Sequence, residues 1–456
     1  MGRGRASFVL ALSLGLASAQ SPVAGHISAE SLRATVAFLS SPSLEGRDTP
    51  SSGLDLAAGF IAARFLSAGL EPAGPDGSYF QTAKLTRVTP DLRGLQCTLR
   101  DGSDELRLSA ADLSVRSLTA LDWKAADVIP LDDQTSTAGP LDGRIVAGSA
   151  RRYAGDAALL RLQSHHPALI LLAGRRDPDL GGASWLAERD TALAPVLWIS
   201  SPAFAEALAD HRPLTLSLHL AAPALAPVAA RNVVGLIPGA DPVLKSQYIL
   251  LTAHYDHLGA LPGANDNASG IASVIEIGAA LASLHPRRSI LFLALWGEEE
   301  GLLGAYYYTR HPLVPLRDTV ANLNLEQLGR TDDSDGVRLN SFALTGQSYS
   351  DLPAILAEGL KSEGVNLYKK RGSDSYFDRS DNYAFALAGI VSHTAVVAFE
   401  YPDYHAPGDE WRKLDYANMA RVDRGIAAAL LHLANRPSPP QWNSTRDAEL
   451  FRNAVR

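Results

Sequence analysis

The stretch YILLTAHYDHLGALPGANDNASG, residues 248–270, determines how the rest of the chain is interpreted. It opens with an apolar run, Tyr248–Thr252, that is typical of a buried strand. Histidine and aspartate side chains follow at once, and a turn-rich loop then leads into a long apolar helix predicted over Ala268–Leu284. A strand, a polar loop and a helix in this order form the repeating unit of an α/β protein.

Further apolar runs along the chain predict strands at Ser289–Leu295, Val320–Leu325 and Thr394–Phe399. Helical spacing of apolar residues predicts helices at Leu302–Arg310, Leu352–Gly364 and Tyr416–Ala434. Two more helices are predicted near the start of the chain, at Ser28–Phe38 and Gly53–Ala68. Strands and helices that alternate at this spacing predict an α/β fold with a mixed, mainly parallel sheet and helices on both faces.

Polar side chains gather at the ends of these predicted strands. They are His254 and Asp256 after the first strand, Asp266 in the next loop, Glu298, Glu299 and Glu300 after the second strand, Glu326 after the third and His405 after the fourth. Because the carboxyl ends of parallel strands meet at one edge of the sheet, we expect these groups to lie close together.

Two histidines and three carboxylates are sufficient to hold two divalent cations, with one carboxylate bridging them. Imidazole and carboxylate together suit Zn²⁺, and Mn²⁺ or Co²⁺ are possible substitutes. A carboxylate that is not a ligand can act as the general base toward water. Each motif alone has an ordinary explanation, since a lone His-x-Asp is more often a hydrogen-bonded pair. Their conjunction at one sheet edge indicates a metal centre.

Composition and net charge exclude several other classes of protein. The 456 residues are 46% hydrophobic, which excludes intrinsic disorder for most of the chain. The formal charge of −8 argues against nucleic acid as a partner. Cys97 is the only cysteine, so cysteine-ligated zinc and intrachain disulfides are excluded, and Cys97 is expected to be buried.

The quoted motifs resemble a known family. His254-Tyr255-Asp256, Gly263–Gly270, Gly297–Gly304 and Tyr404-His405 closely resemble the di-zinc exopeptidases of the bacterial leucyl aminopeptidase type, whose relatives include glutamate carboxypeptidase, the transferrin receptor and glutaminyl cyclases. Leu44-Glu45-Gly46-Arg47 looks like part of the family's N-terminal helices. The resemblance extends over nearly the whole chain after residue 19 and implies two Zn²⁺ ions per chain.

The resemblance also implies a role for each residue. Asp266 would bridge both ions; Glu299 and His405 would complete one site, and His254 and Glu326 the other. Glu298 would be the general base, and Asp256 would orient His254. A slip of one position would move base and ligand to Glu299 and Glu300.

This chain departs from the family pattern at two positions. The family commonly has Asp where this chain has Glu326, and the longer carboxylate changes the geometry expected at that site. The segment Arg379–Asn382 resembles one that usually continues with His rather than Asn382. His257 follows the ligand motif but has no assigned partner, and His165 and His166 are expected to be surface residues.

The predicted domain organisation is discontinuous. Residues 1–19 read as a signal peptide, with Arg3 and Arg5 before an apolar stretch that is too short to span a membrane, so an exported protein, periplasmic or extracellular, is expected without a membrane span after cleavage. Residues 20–126 and 228–438 are predicted to form the catalytic domain, and 127–227 resemble an inserted protease-associated domain. Residues 439–456 are predicted to be a C-terminal tail, loosely ordered.

The leading functional hypothesis is an aminopeptidase that hydrolyses the N-terminal peptide bond of peptides or proteins. A carboxypeptidase remains an alternative, with Lys369, Lys370, Arg371 and Arg379 as the basic residues that would bind a substrate carboxylate. Two further hypotheses are a glutaminyl cyclase, which needs a single zinc, and a receptor-like binding ectodomain with a degenerate site. The intact set of ligands and base favours an active hydrolase over both.

Overall fold

The computed structural model describes residues 27–454, apart from residues 103, 132–140, 154–155, 175–183 and 189–192. The predicted signal peptide therefore lies outside the described residues. In the described part of the chain, no helix is both long enough and apolar enough to cross a membrane.

The strands, numbered along the chain, are β1 (Glu71–Pro72), β2 (Phe80–Thr89), β3 (Gln96–Asp101), β4 (Asp104–Leu108), β5 (Leu113–Arg116), β6 (Leu121–Pro130), β7 (Ile145–Ser149), β8 (Leu169–Ala173), β9 (Trp185–Glu188), β10 (Val196–Ile199), β11 (Leu214–Leu220), β12 (Ala224–Ile237), β13 (Tyr248–His254), β14 (Ser289–Leu295), β15 (Thr319–Glu326), β16 (Asp332–Asp333), β17 (Gly336–Val337), β18 (Ser341–Leu344), β19 (Asn366–Leu367) and β20 (Val391–Val396). The α-helices are α1 (Ala29–Leu39), α2 (Ser52–Ser67), α3 (Ala150–Tyr153), α4 (Asp156–Gln163), α5 (Pro202–Ala209), α6 (Gly270–Leu281), α7 (Leu303–Arg310), α8 (Leu352–Leu360), α9 (Asn382–Leu387), α10 (Tyr416–Asn435) and α11 (Glu449–Arg452).

The large sheet has the strand order β19-β18-β20-β15-β13-β14-β12-β2-β9, with β1 paired to β12. Its central strands β14, β13, β15 and β20 are parallel neighbours, whereas β12, β2 and β9 add to one side in antiparallel orientation. Because the central strands are apolar along most of their length, both of their faces are buried. The predicted mixed sheet is confirmed.

Helices cover both faces of this sheet, as predicted. Ile290 and Phe292 of β14 belong to the core cluster that contains residues of α1, α2, α6, α8 and α10. Leu291 and Leu293 point the opposite way and pack with residues of α7 and α9. Alternate residues of one strand thus enter two different cores, which is why the strand sequence is continuously apolar rather than alternating.

A second sheet, with its own apolar clusters on its two faces, has the order β4-β3-β11-β6-β7-β8-β10-β5. Its strands begin at Gln96, so it includes more of the chain than the residues 127–227 that we predict to be inserted. The description of those residues as a protease-associated domain stays a prediction. The end of β2 and the start of β12 lie side by side in the large sheet, where Thr89 pairs with Ala224, and between them the described part of the chain adds only the edge strand β9 to this sheet.

The C-terminal segment differs from the prediction of loose order. Trp442 is 9% exposed and its indole N–H donates to the carbonyl of Gly389 at 3.1 Å. Phe451 of α11 is also buried and packs against the ring of Trp442. Scattered aromatic residues after a Pro-rich stretch give no periodic signal, so the sequence did not indicate that this segment completes the core.

Candidate metal centre

The carboxyl ends of the central strands bring the predicted ligands together. His254 is the last residue of β13 and Glu326 the last of β15, and these strands are neighbours in the sheet. The Nε2 atom of His254 lies 3.3 Å from Oε1 of Glu326 and 3.3 Å from Oδ1 of Asp266. His254 and Asp266 are 1% and 3% exposed and the Glu326 side chain is 13% exposed, so the cluster is largely buried.

A second cluster lies on the other side of Asp266. The Nε2 atom of His405 is 3.2 Å from Oδ2 of Asp266 and 3.3 Å from Oε2 of Glu299. Asp266 therefore directs one carboxylate oxygen to each cluster. The His405 ring stacks on that of Tyr404, with centroids 3.9 Å apart, which fixes its orientation.

The donor set fits two zinc ions. Two ligands of a tetrahedral zinc, each about 2.0–2.1 Å from the ion, lie about 3.3 Å apart, which is the separation found in both clusters. The Nε2 atom of His405 is buried and has no hydrogen-bond partner in the part of the chain that the structure describes. Buried imidazole nitrogens directed at carboxylates without hydrogen bonds are the arrangement that a bound cation requires.

The loop that carries Asp266 is held by its two asparagine neighbours and by Asp409. Asp409 is fully buried and accepts hydrogen bonds from the backbone N–H groups of Asn265 and Asp266, each at 3.0 Å. The Asn265 side chain accepts from the N–H of Gly329 at 2.9 Å, and Asn267 donates to Leu325 at 2.9 Å. These contacts tie the loop to the end of β15. The helix that follows the loop, α6, begins at Gly270, two residues later than the predicted start at Ala268.

Arg47 fixes the loop between His254 and Asp266 from the other side. This arginine is fully buried and donates to the backbone carbonyls of Tyr255 at 2.7 Å and of Pro262 and Gly263 at 3.0 Å each; it also donates to Leu39. Burial lowers the pKa of its guanidinium to about 10. The residue that the sequence placed in a family-like N-terminal motif is thus a support of the candidate centre.

Glu298, the predicted base, lies next to the first cluster. One of its carboxylate oxygens is within 4.8 Å of the ligand atoms of His254 and Glu326. Desolvation raises the pKa of Glu298 well above its usual value, and the charges of Glu326 and Glu299 raise it further. A carboxylate with a raised pKa is a stronger base than one in water.

Asp256 contacts the acidic loop, which we define as Glu298–Glu300, more closely than it contacts His254. Its Oδ1 atom is 3.7 Å from Nδ1 of His254, which is beyond hydrogen-bond distance. It accepts instead from the backbone N–H of Glu298 at 3.1 Å and of Glu299 at 3.3 Å. Asp256 therefore holds the loop of Glu298 and Glu299, and its predicted role in orienting His254 stays a prediction.

Glu300, the third glutamate after β14, lies beside a neighbouring cavity. Glu300 lines a cavity of about 240 Å³ with Leu303 of α7 and with Leu159 and Trp185 of the region that precedes β12. Glu298 and Glu299 lie among the clustered ligands. This arrangement supports the register in which Glu298 is the base and Glu299 the ligand.

The two departures from the family pattern have structural explanations. The Oε1 atom of Glu326 accepts from the Ser380 hydroxyl at 2.5 Å, so the longer side chain is anchored while it reaches His254. Asn382 is buried, donates to the carbonyl of Phe377 at 3.0 Å and accepts from Thr394 at 2.7 Å. Asn382 therefore has a role in packing rather than in the metal centre.

The electrostatics of the two clusters are those of a cation site. Burial lowers the pKa of His405, but the nearby carboxylates of Asp266 and Glu299 outweigh this effect and raise it to about 10. Burial likewise lowers the pKa of His254, and Glu298 and the neighbouring carboxylates raise it well above its usual value. When no cation is bound, the negative charge of the clustered carboxylates favours the protonated form of both histidines.

His257 is the residue that sequence reasoning missed. Its Nδ1 atom lies 2.8 Å from Oε1 of Glu299, and the residue is 1% exposed. The only sequence signal for a role of His257 was its position three residues after His254. The contact with Glu299 could not be predicted, because it joins segments that follow two different strands. His165 and His166 are exposed and Cys97 is 3% exposed, so the predictions for these residues are confirmed.

Comparison with known proteins finds relatives that are named as an aminopeptidase and as a probable zinc metalloprotease. Aminopeptidase YwaD of Bacillus subtilis (strain 168) is 28% identical over 244 residues, 52% of this chain and 51% of that protein. A probable zinc metalloprotease of Pyrenophora tritici-repentis is 34% identical over 258 residues, 47% of this chain and 59% of that protein. This chain therefore spans about half the length of the curated relatives it matches.

A solved structure extends the likeness to most of the fold. The aminopeptidase from Aneurinibacillus sp. strain AM-1 superposes with a TM-score of 0.57 at 19% identity, covering 92% of this chain and 96% of that one. At this identity the comparison shows a shared fold alone. The model of peptidase family M28 matches residues 232–430, which include all five predicted metal ligands. Over residues 232–430 the chain is therefore similar to peptidase family M28.

Proposed function

We propose that this protein is a zinc-dependent aminopeptidase that removes residues from the N-terminus of peptides or proteins. The observation that carries the proposal is the arrangement of His254, Glu326, Asp266, Glu299 and His405, whose ligand atoms form two clusters with Asp266 between them. The relatives named as aminopeptidase and probable zinc metalloprotease support the same activity. We propose further that residues 1–19 direct the protein out of the cytoplasm.

Five side chains would hold two Zn²⁺ ions. His254 and Glu326 would bind one ion, Glu299 and His405 the other, and Asp266 both. Bound there, the ions would supply Lewis acidity toward the scissile carbonyl and lower the pKa of water. The remaining steps depend on side chains of this chain.

Glu298 has the position and the protonation behaviour of a general base. It would take a proton from the attacking water and deliver it to the departing amine, so that the peptide bond breaks as the new carbon–oxygen bond forms. Burial raises the pKa of Glu298 in the metal-free protein, and bound cations would lower it again, so that the carboxylate is ionised and can accept a proton.

The charge of the centre favours a substrate with a free α-ammonium. The side chains that surround the two clusters are mainly carboxylates, among them Asp256, Glu298 and Asp381. Such an acidic surrounding would attract an ammonium group and repel a terminal carboxylate.

Two of the four basic residues considered for a carboxypeptidase have other partners. The Nζ atom of Lys370 lies 3.0 Å from Oδ2 of Asp333 and 3.1 Å from Asp335, and its side chain is 6% exposed. Arg379 is exposed and lies over the ring of Tyr376. These contacts favour an aminopeptidase over a carboxypeptidase.

The test is metal content together with turnover of matched substrates. We expect about two zinc ions per chain, release of the chromophore from aminoacyl-p-nitroanilides with a free amine, and loss of this release on chelation. The N-acetylated analogues should be at least 100-fold poorer substrates. Equal turnover of free and acetylated substrates would contradict the aminopeptidase assignment, and one zinc with no turnover would favour a glutaminyl cyclase.

A further inference from the structure

His257 lies in a closely packed position beside the second cluster. Its side chain has no exposed surface, and its Nδ1 atom is 2.8 Å from Oε1 of Glu299. One face of its ring lies against Gly263, where an added Cβ would come within 2.4 Å of the imidazole. The ring of His405 meets it nearly edge-on, with centroids 5.6 Å apart and planes at 73°.

The two oxygens of Glu299 therefore have separate partners. Oε2 faces His405 at 3.3 Å, whereas Oε1 is occupied by His257. The backbone of the same residue is fixed by Asp256 through its N–H. Since the carboxylate is held at Oε1 and at its backbone, the direction of Oε2 is determined before any cation arrives.

We propose that His257 is a positioning residue that presents Glu299 to the metal site containing His405. The inference rests on the proposed function, because it assumes that Glu299 is a metal ligand. His257 would donate its Nδ1 proton to Glu299 and remain outside the coordination shell. Its loss would weaken binding at that site and leave the site of His254 and Glu326 unchanged.

Two amide substitutions separate the hydrogen bond from other roles of His257. The amide of Asn ends near the position of Nδ1, whereas that of Gln ends near Nε2. We therefore expect His257→Asn to retain the contact with Glu299 and His257→Gln to lose it. His432→Asn, which alters a partly exposed histidine paired with Glu358 at 3.1 Å, is the matched control.

The experiment is Zn²⁺ titration against a chromophoric chelator, with circular dichroism and thermal unfolding to verify folding. In the His254→Ala background only the His405 site remains to be titrated, and in the His405→Ala background only the other one. His257→Gln should raise the dissociation constant about 10- to 100-fold in the first background and less than 3-fold in the second. His257→Asn and the control should change either constant less than 3-fold.

The outcomes separate this inference from the proposed function. If the wild-type protein binds two ions and His257→Gln leaves both constants unchanged, the positioning role is wrong while the proposed function stands. Retention of affinity by the Gln variant with loss in the Asn variant would show direct ligation through Nε2 and would also overturn the inference. A wild-type protein without zinc affinity would overturn the proposed function itself.

Discussion

The backbone N–H of Glu298 donates to Oδ1 of Asp256 at 3.1 Å. This hydrogen bond joins the segment after β13 to the segment after β14, so the residue proposed as base is held in place by the segment that follows His254. The N–H of Glu299 reaches the other oxygen of Asp256 at 3.3 Å, and the hydroxyl of Thr49 adds a third contact at 3.2 Å. One carboxylate thus sets the position of both a candidate base and a candidate ligand.

Replacement of Asp256 by Asn should therefore reduce activity without unfolding the protein. An amide has one acceptor oxygen, so one of the two backbone N–H groups of the acidic loop loses its partner. We expect kcat for a free-amine substrate to fall about 10- to 100-fold. Thr49→Val removes only the hydroxyl contact and should change kcat less than 3-fold. Equal effects of the two substitutions would show that the acidic loop does not depend on Asp256.

Replacement of Glu298 by Gln should abolish proton transfer while it leaves the ligands in place. We expect kcat to fall about 10²- to 10⁴-fold, with an unchanged zinc content measured by mass spectrometry. Glu300→Gln is the control, because Glu300 lines the neighbouring cavity rather than the ligand clusters. A large loss in the Glu300 variant and a small one in the Glu298 variant would instead support the register shifted by one residue.

Removal of metal should destabilise the folded protein. Without cations, the clustered carboxylates of Asp266, Glu299 and Glu326 repel one another in a buried place. Free zinc at about 100 times the dissociation constant should stabilise the fold by about 2.7 kcal/mol per site. Thermal unfolding over a series of buffered zinc concentrations measures this effect, and a melting temperature that is independent of zinc would contradict it.

Substitution of Arg47 should lower stability more than substitution of an exposed arginine does. Arg47→Met leaves the carbonyls of Tyr255, Pro262 and Gly263 buried without a donor. We expect the free energy of unfolding to fall by about 3–5 kcal/mol, because each buried carbonyl that loses its donor costs about 1–3 kcal/mol. Arg93→Met, at a site where the arginine side chain is 93% exposed, should change it by less than about 0.5 kcal/mol. Urea denaturation of both variants with zinc bound provides the comparison.

His393 should make stability fall in mild acid. It is fully buried between Ser350 at 2.6 Å and the carbonyl of Thr345 at 2.7 Å, and burial lowers its pKa to about 4. The unfolded chain, with a histidine pKa near 6.5, binds a proton first as the pH falls, so stability present above about pH 6.5 is lost down to about pH 4.

The size of this loss follows from the displaced pKa of His393. A decrease from 6.5 to about 4 corresponds to a contribution on the order of 3 kcal/mol. The measurement is the free energy of unfolding of the wild-type protein and of the His393→Asn variant at several pH values. The difference between the two should narrow as the pH falls from 7 to 4, and a constant difference would show that His393 titrates normally.

The strands that carry the metal centre could be predicted from sequence because they are largely apolar and end in polar residues. The prediction for Ser289–Leu295 agrees with β14 at both ends, and the strand predicted at Val320–Leu325 lies within β15. The strand predicted at Thr394–Phe399 lies three residues earlier, at β20, because Ser392, His393 and Thr394 are polar although fully buried. Hydropathy alone does not reveal buried polar groups that are paired with one another.

Contacts between distant segments could not be predicted in this way. The pairing of His257 with Glu299 and that of Lys370 with Asp333 join residues whose neighbours along the chain give no hint of the partner. A charged residue that will be buried in an ion pair resembles a solvated one in sequence. The same holds for Arg47, whose partners are backbone carbonyls. Every residue type has such a carbonyl, so the amino-acid sequence does not indicate which residues Arg47 contacts.

The pairing of Thr89 with Ala224 places the two ends of the intervening segment side by side, as at the tip of a β-hairpin. A short turn is therefore long enough to connect β2 directly to β12. The shortened chain would keep the central strands of the large sheet and lack the second sheet. Such a miniaturised protein would lose β9 and expose β2 as an open edge. An unprotected edge strand invites association with a further copy, so a truncated protein of this kind would need a charged residue or a proline introduced on β2.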